Sequence, residues 1–255
     1  MDISYDIQGE GEPIIFVHGV GSRKFSWNNV VEELKDKYQC ITYSLRGHGD
    51  SVLPNKSNNF SLDDLVEDLE SLRTYLKLER TNLVGHSLGG QIVPAYAKKF
   101  PAHTKSLVML STAAFRSDKE KEKVLSLVGK MKKTGLDSVL PLLISRWYTK
   151  DFASKNYDIV EKRIDMIKKM SLETFCRVFT IYANCKMEEW LHEINIPTLV
   201  MTGSEDAGCS PRLNRMIVKS MPQAKLCVLE GLKHSINTER PDLVSEQIKI
   251  FLNKI

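Results

Sequence analysis

With 255 residues, 42% of them hydrophobic, the chain fits one large α/β domain, or one such domain carrying an insertion, better than two independent domains. A net charge of +4 is too small to argue for nucleic acid. No stretch approaches the roughly 18 uninterrupted apolar residues of a membrane span. Cys40, Cys176, Cys185, Cys209 and Cys227 are odd in number, widely spaced and free of any C-x-x-C pair, which argues against a disulfide framework or a zinc site. The acidic opening MDISYDIQGEGEP lacks the basic-then-apolar layout of a secretory leader, so a reduced cytoplasm is the expected home.

Short β-branched runs alternate with helical segments along the chain. PIIFVH (13–18) comes first, then an expected helix over 27–37 and the run QCITYSL (39–45). A helix over 61–76 follows, with Asp63, Asp64, Glu67 and Asp68 early in it, where acidic side chains suit the positive end of the helix dipole. TNLVGH (81–86), a helix over 90–99 and SLVMLS (106–111) continue the rhythm. Most of the runs lack in/out alternation, as expected of strands covered by helices on both faces.

The rhythm breaks between about 115 and 186. Segments 121–133, 136–148, 156–170 and 172–185 read there as four amphipathic helices, with no strand-like run among them. PTLVMTG (197–203), a helix over 210–220, KLCVLEG (225–231) and a helix over 242–252 complete the chain. The expected fold class is therefore α/β, a doubly wound, mostly parallel sheet with a helical insertion. Residues 1–114 and 187–255 form its core, and 115–186 form a cap over the sheet's C-terminal edge, where open α/β sheets bind ligands. The insertion carries 16 Lys and Arg against 9 Asp and Glu, whereas the rest of the chain has 20 against 23. That excess is either a solvated helical surface or a positive field at the mouth of a site, favouring anionic substrates.

The strongest local signal is Gly85-His86-Ser87-Leu88-Gly89 between the run TNLV and a helix. In G-x-S-x-G the serine sits on a strained turn that lifts its hydroxyl into the site, and crowding there demands small residues two before and two after it. A serine hydroxyl needs a base to take its proton, and the base needs an orienting acid. Of the six histidines, only His234 lies beyond the last expected strand, in a loop where the order Ser…Asp/Glu…His requires the base. The loop after PTLVMTG supplies the acid, with Asp206 the choice and Glu205 the runner-up. An oxyanion hole needs two backbone donors, expected at Leu88 N–H and at Val20 N–H in His18-Gly19-Val20-Gly21. His18 is expected to hold this loop in shape rather than to transfer protons.

With these residues assembled, the chain resembles the α/β-hydrolase family, in particular its capped lactonases, esterases and cofactor-free haloperoxidase-like members, among them 3-oxoadipate enol-lactonases. FVHGVGSRKFSW (16–27), LRGHGDS (45–51), VGHSLGG (84–90), TGSEDAGCSP (202–211) and GLKHSINTERP (231–241) carry the resemblance. Ser44 stands where the family often has Asp, in a block where Arg46 is expected to tie loops together. The family also places one more strand before PIIFVH, so a first edge hairpin is expected to be short or missing.

The resemblance implies a serine hydrolase that cleaves a small-molecule ester or lactone through an acyl-enzyme on Ser87, with no metal or organic cofactor. Within the cap, Trp147 and Phe179 are candidate pocket residues, and Arg23 and Arg146 are candidate anchors for a substrate carboxylate. Trp27 is expected in the core beneath the oxyanion loop. Perhydrolase or haloperoxidase-like chemistry, hydrolysis of a C–C bond in ring-cleavage products, and a hydrolase-fold ligand receptor are the competing readings. Oligomeric state is left open.

Overall fold

The computed structural model describes residues 3–54 and 57–255. Strands β1 (Tyr5–Gln8), β2 (Glu12–Val17), β3 (Tyr38–Tyr43), β4 (Thr81–His86), β5 (Thr104–Leu110), β6 (Thr198–Gly203) and β7 (Ala224–Leu229) form one sheet in the order β1-β3-β2-β4-β5-β6-β7. Every neighbouring pair is parallel except β1 with β3. All six strands expected from the sequence are present, and β1 is the addition. It is short, but it forms no hairpin with β2, whose two edges are already taken by β3 and β4. Instead it crosses to the outer edge of β3, pairing Tyr5 with Tyr43 and Gln8 with Cys40.

The missing alternation in the sequence now has its cause. Ile14 and Phe16 pack into one core with Trp27, Val84, Val108 and Leu110, while Ile15 and Val17 pack into the other with Leu83, Leu107 and Met109. Both faces are dry, so both side-chain parities must be apolar. Asn82, the second residue of β4, is a polar exception and is fully buried. Its amide donates to Glu12 and accepts from Ser106 Oγ at 2.6 Å, so its polar atoms are matched. Trp27 is fully buried against Phe16, as expected.

The helices α1 (Asn28–Glu32), α2 (Leu62–Tyr75), α3 (Gly89–Lys99), α9 (Pro211–Ser220), α10 (Ile236–Glu239) and α11 (Pro241–Leu252) belong to the layers around the sheet. The helix expected over 27–37 is cut short: a 3-10 turn (Lys24–Trp27) leads into α1, and after Glu32 the regular helix gives way to hydrogen-bonded turns. A capping box joins Ser61 and Asp64 at the start of α2. Arg46 grips Asp68 with two hydrogen bonds at 2.7 and 2.8 Å and also reaches the Asp64 carbonyl, tying its loop to α2.

Between β5 and β6 lie α4 (Asp118–Thr134), α5 (Leu140–Trp147), α6 (Lys150–Lys155), α7 (Tyr157–Lys168) and α8 (Leu172–Asn184). There are five helices rather than four. Tyr148 turns extended after α5, and Thr149 then caps a new short helix by accepting from Phe152 N–H. Thr149 also donates to Glu239 at 2.6 Å, which anchors the break to α10. Among the described residues no helix is long and apolar enough to cross a membrane.

The sheet's centre is where packing matters most. Replacing Leu83, fully buried in β4, by Ala should lower the unfolding free energy by about 2–5 kcal/mol in urea titrations.

Candidate active site

The turn between β4 and α3 is built around Ser87, whose φ of 56° is in the left-handed region that non-glycine residues avoid. Its backbone is fixed on both sides. Ser87 N–H donates to the Leu110 carbonyl at 2.8 Å, and Thr112 Oγ1 donates to the Ser87 carbonyl at 2.9 Å. The flanking glycines are sterically required: a Cβ on Gly85 would run into the Gly89 carbonyl, and one on Gly89 into the Val17 carbonyl of β2. The serine hydroxyl is thus held at the C-terminal edge of the sheet, just before the positive end of α3.

Asp206 follows β6 and His234 follows β7. Their side chains meet, with His234 Nδ1 at 2.8 Å from Asp206 Oδ2. The other carboxylate oxygen, Oδ1, accepts from the amides of Gly208 and Cys209 at 2.9 and 2.8 Å. Glu205, the runner-up, is exposed and makes no hydrogen bond to His234 among the described residues. Burial alone would raise the Asp206 pKa, but His234 and the two amides outweigh it and hold the carboxyl below its usual range. For His234, burial opposes the charged ring, yet Asp206 and then Cys209 outweigh it and lift the imidazole above its ordinary value. Ser87 and His234 line one pocket, without a direct side-chain hydrogen bond among the described residues.

His86 contributes something the motif alone does not reveal. Its Nε2 lies 3.0 Å from the His234 carbonyl, so that nitrogen carries the proton and pins the loop that presents His234. Burial first, then the nearby His234, depress its pKa to about 3, so the ring stays neutral.

The loop after β2 is ordered by His18. Nε2 accepts from Leu45 N–H at 2.9 Å, which leaves the proton on Nδ1 to donate to the Gly19 carbonyl at 2.8 Å. Burial drives its pKa well below normal. The amides of Val20 and Leu88 donate to no protein acceptor among the described residues, so both are available to a ligand oxygen.

One pocket brings Gly19, Val20, Ser87, Asp206 and His234 together and encloses about 770 Å³ including its open mouth. Arg146, Trp147 and Phe179 from the insertion also line it. Arg23 does not. Its guanidinium lies 5.0 Å above the Phe25 ring, and the residue borders neighbouring grooves instead, because the chain turns at once into the 3-10 segment. Two lining cations escaped the sequence reading, Arg116 and Arg163. The available signal for Arg163 was its phase: Val160 and Ile167, three before and four after it, are the buried positions of α7.

Asp206, Cys209 and His234 also bring a carboxylate, a thiol and an imidazole within 4.8 Å of one another. Those groups are already engaged, since Asp206 holds His234 and two amides, and Cys209 Sγ pairs with Tyr182 Oη at 2.9 Å.

Residues 12–241 match the family model of the alpha/beta hydrolase fold, and the chain belongs to that family of hydrolases. It is 26% identical to an (E)-2-((N-methylformamido)methylene)succinate hydrolase of Acinetobacter baylyi, over 97% of this chain and 93% of that one. A 3-oxoadipate enol-lactonase of the same organism is 24% identical, over 97% and 91%. Among solved structures, a thermophilic esterase from Thermogutta terrifontis superposes with a TM-score of 0.87 at 26% identity, covering 99% of this chain and 93% of that one.

The role of His18 can be isolated without touching Ser87. His18→Leu leaves the Leu45 N–H buried and unpaired, while the Gly19 carbonyl keeps its bond from Ser22 N–H at 3.2 Å. It should cost about 1–3 kcal/mol in chemical denaturation.

Proposed function

We propose that the protein is a serine hydrolase acting on a carboxylic ester or lactone, with Ser87 as nucleophile, His234 as general base and Asp206 as the acid that orients it. The observation that carries this reading is the 2.8 Å Asp206–His234 pair, presented to the same pocket as a left-handed Ser87. Ser87 Oγ attacks the carbonyl carbon as His234 Nε2 takes its proton. The Val20 and Leu88 amides then receive the tetrahedral oxyanion. Collapse expels the alkoxide, which takes the proton from His234, and an acyl-enzyme remains. Water, deprotonated by the same histidine, releases the acid and restores Ser87.

The helical insertion, residues 115–186, acts in this reading as a cap that supplies the acyl pocket through Trp147 and Phe179. It is joined directly to the base loop, since Ser235 N–H donates to the Trp147 carbonyl at 2.9 Å and Lys233 Nζ to the Ser145 carbonyl at 2.8 Å. The substrate preference toward esters and lactones is supported by the kinds of reaction named for the relatives. The five cysteines are all free, which suits the reducing cytoplasm as the place of action.

The test is a series of p-nitrophenyl esters of increasing chain length beside enol- and saturated lactones. Ser87→Ala should remove about 10⁴-fold or more of kcat while leaving the fold intact by circular dichroism. Absence of turnover on every substrate, or activity surviving in Ser87→Ala, would falsify the assignment.

The raised His234 pKa gives a pH prediction. The base works only when neutral, so kcat/KM should rise with pH through a limb above the ordinary imidazole value of about 6.5. Asp206→Asn removes the charge that lifts it. Its limb should move to lower pH, with a loss of about 10⁴-fold in kcat. An acid limb that stays in place in Asp206→Asn would contradict the coupling.

A further inference from the structure

Arg163 is an unusual cation. It projects from α7 into the pocket that holds Ser87, with its guanidinium 5.0 Å above the Trp147 ring. Among the described residues it has no carboxylate within ion-pair distance, and the same holds for Arg116 and Arg146 on the same pocket wall. The single lining carboxylate, Asp206, is committed to His234. One guanidinium nitrogen, Nη2, donates to the Val20 carbonyl at 2.8 Å, whereas the buried Nε has no partner. Burial works against its charge and lowers its pKa, and only Tyr148 opposes the shift. Arg163 is half-buried as a residue, and a cation whose Nε is sealed from solvent with no counterion is costly unless a ligand supplies one.

Arg116 adds a second positive group. It lies 4.1 Å over the Tyr182 ring and donates to the Tyr182 carbonyl at 3.2 Å, again with no acidic partner among the described residues. Arg146 is exposed at the mouth. Three arginines therefore line the pocket that holds Ser87, none of them paired with a carboxylate among the described residues.

We propose that Arg163 is the anchor for a carboxylate on the substrate, so that the enzyme acts on half-esters or lactones of dicarboxylic acids, and that it also positions the oxyanion donor. The proposal rests on the serine-hydrolase reading above. Its second part follows from the Val20 contact. The peptide whose carbonyl Arg163 holds is the next one along the chain from the peptide carrying Val20 N–H, so fixing the carbonyl restricts the orientation of the oxyanion amide. Arg116 and Arg146 complete the positive field that draws the anion in.

The test compares p-nitrophenyl hemiglutarate with p-nitrophenyl valerate, which match in chain length and differ in the terminal carboxylate, after subtraction of spontaneous hydrolysis. The wild-type enzyme should favour the hemiglutarate by about 10- to 100-fold in kcat/KM, as expected for charge-assisted hydrogen bonds. Arg163→Gln should erase that preference mainly through KM for the hemiglutarate, and should lower kcat for both esters through the loosened Val20 peptide. Arg163→Lys should keep part of the preference, because charge remains, and still lose kcat on both. Arg116→Gln should weaken the preference by less than Arg163→Gln does.

Binding gives a readout independent of turnover. Glutarate titrated calorimetrically into the Ser87→Ala protein should bind, more weakly as sodium chloride is raised, and should not bind Ser87→Ala/Arg163→Gln. Equal turnover of both esters by the wild type, with no glutarate binding, overturns the anion site and leaves the hydrolase intact. Glutarate binding that depends on Arg163, with neither ester nor any lactone of the series turned over, upholds the anion site and rejects the hydrolase reading.

Discussion

The structure turns on a backbone conformation that its chain would not choose in isolation. Ser87 is held left-handed by the Leu110 carbonyl on one side and the Thr112 hydroxyl on the other, with Gly85 and Gly89 giving the turn room. A left-handed non-glycine residue costs on the order of 1–3 kcal/mol and persists only when its surroundings over-determine it. Here the surroundings are the most buried strands of the sheet. β4 sits between β2 and β5, and all of its residues are buried. Rigidity of the sheet is thereby converted into a fixed position for one hydroxyl.

The other groups arrive at that position from separate parts of the chain, each at the end of a strand. Val20 comes from the loop after β2, Asp206 from the loop after β6 and His234 from the loop after β7. None of these loops is left to itself: His18 fixes the first, the Gly208 and Cys209 amides fix the second, and His86 pins the third. The helical insertion then contacts two of them. Arg163 reaches the Val20 carbonyl and Trp147 accepts from Ser235 N–H. Movement of these helices would therefore be felt at the Val20 loop and at the His234 loop together.

Much of the core is legible in the sequence because burial on both faces leaves little choice of side chain. The runs at Ile14–Val17, Leu83–Val84 and Leu107–Leu110 can only be strands of a covered sheet. β1 escapes notice because YDIQ is short, half polar and only partly buried. The pairing of Asp206 with His234 is readable from chain order, since each follows a strand. The arginines are harder. In a segment crowded with lysine and arginine every basic residue looks like solvated surface, so Arg116 and Arg163 are hidden by their neighbours. Arg23 misleads in the opposite way. It follows the His18–Gly21 loop closely in sequence, yet the 3-10 turn carries it out of the pocket. The break at Thr149 depends on a distant partner, Glu239, which no local pattern announces.

The central claim is that Ser87 is the activated nucleophile, and covalent trapping tests it most directly. The protein is incubated with a fluorophosphonate, its intact mass is measured, and the modified peptide is sequenced. A single adduct on Ser87 is expected, absent from Ser87→Ala and slowed in Asp206→Asn. No adduct, or one on another residue that survives in Ser87→Ala, would contradict it.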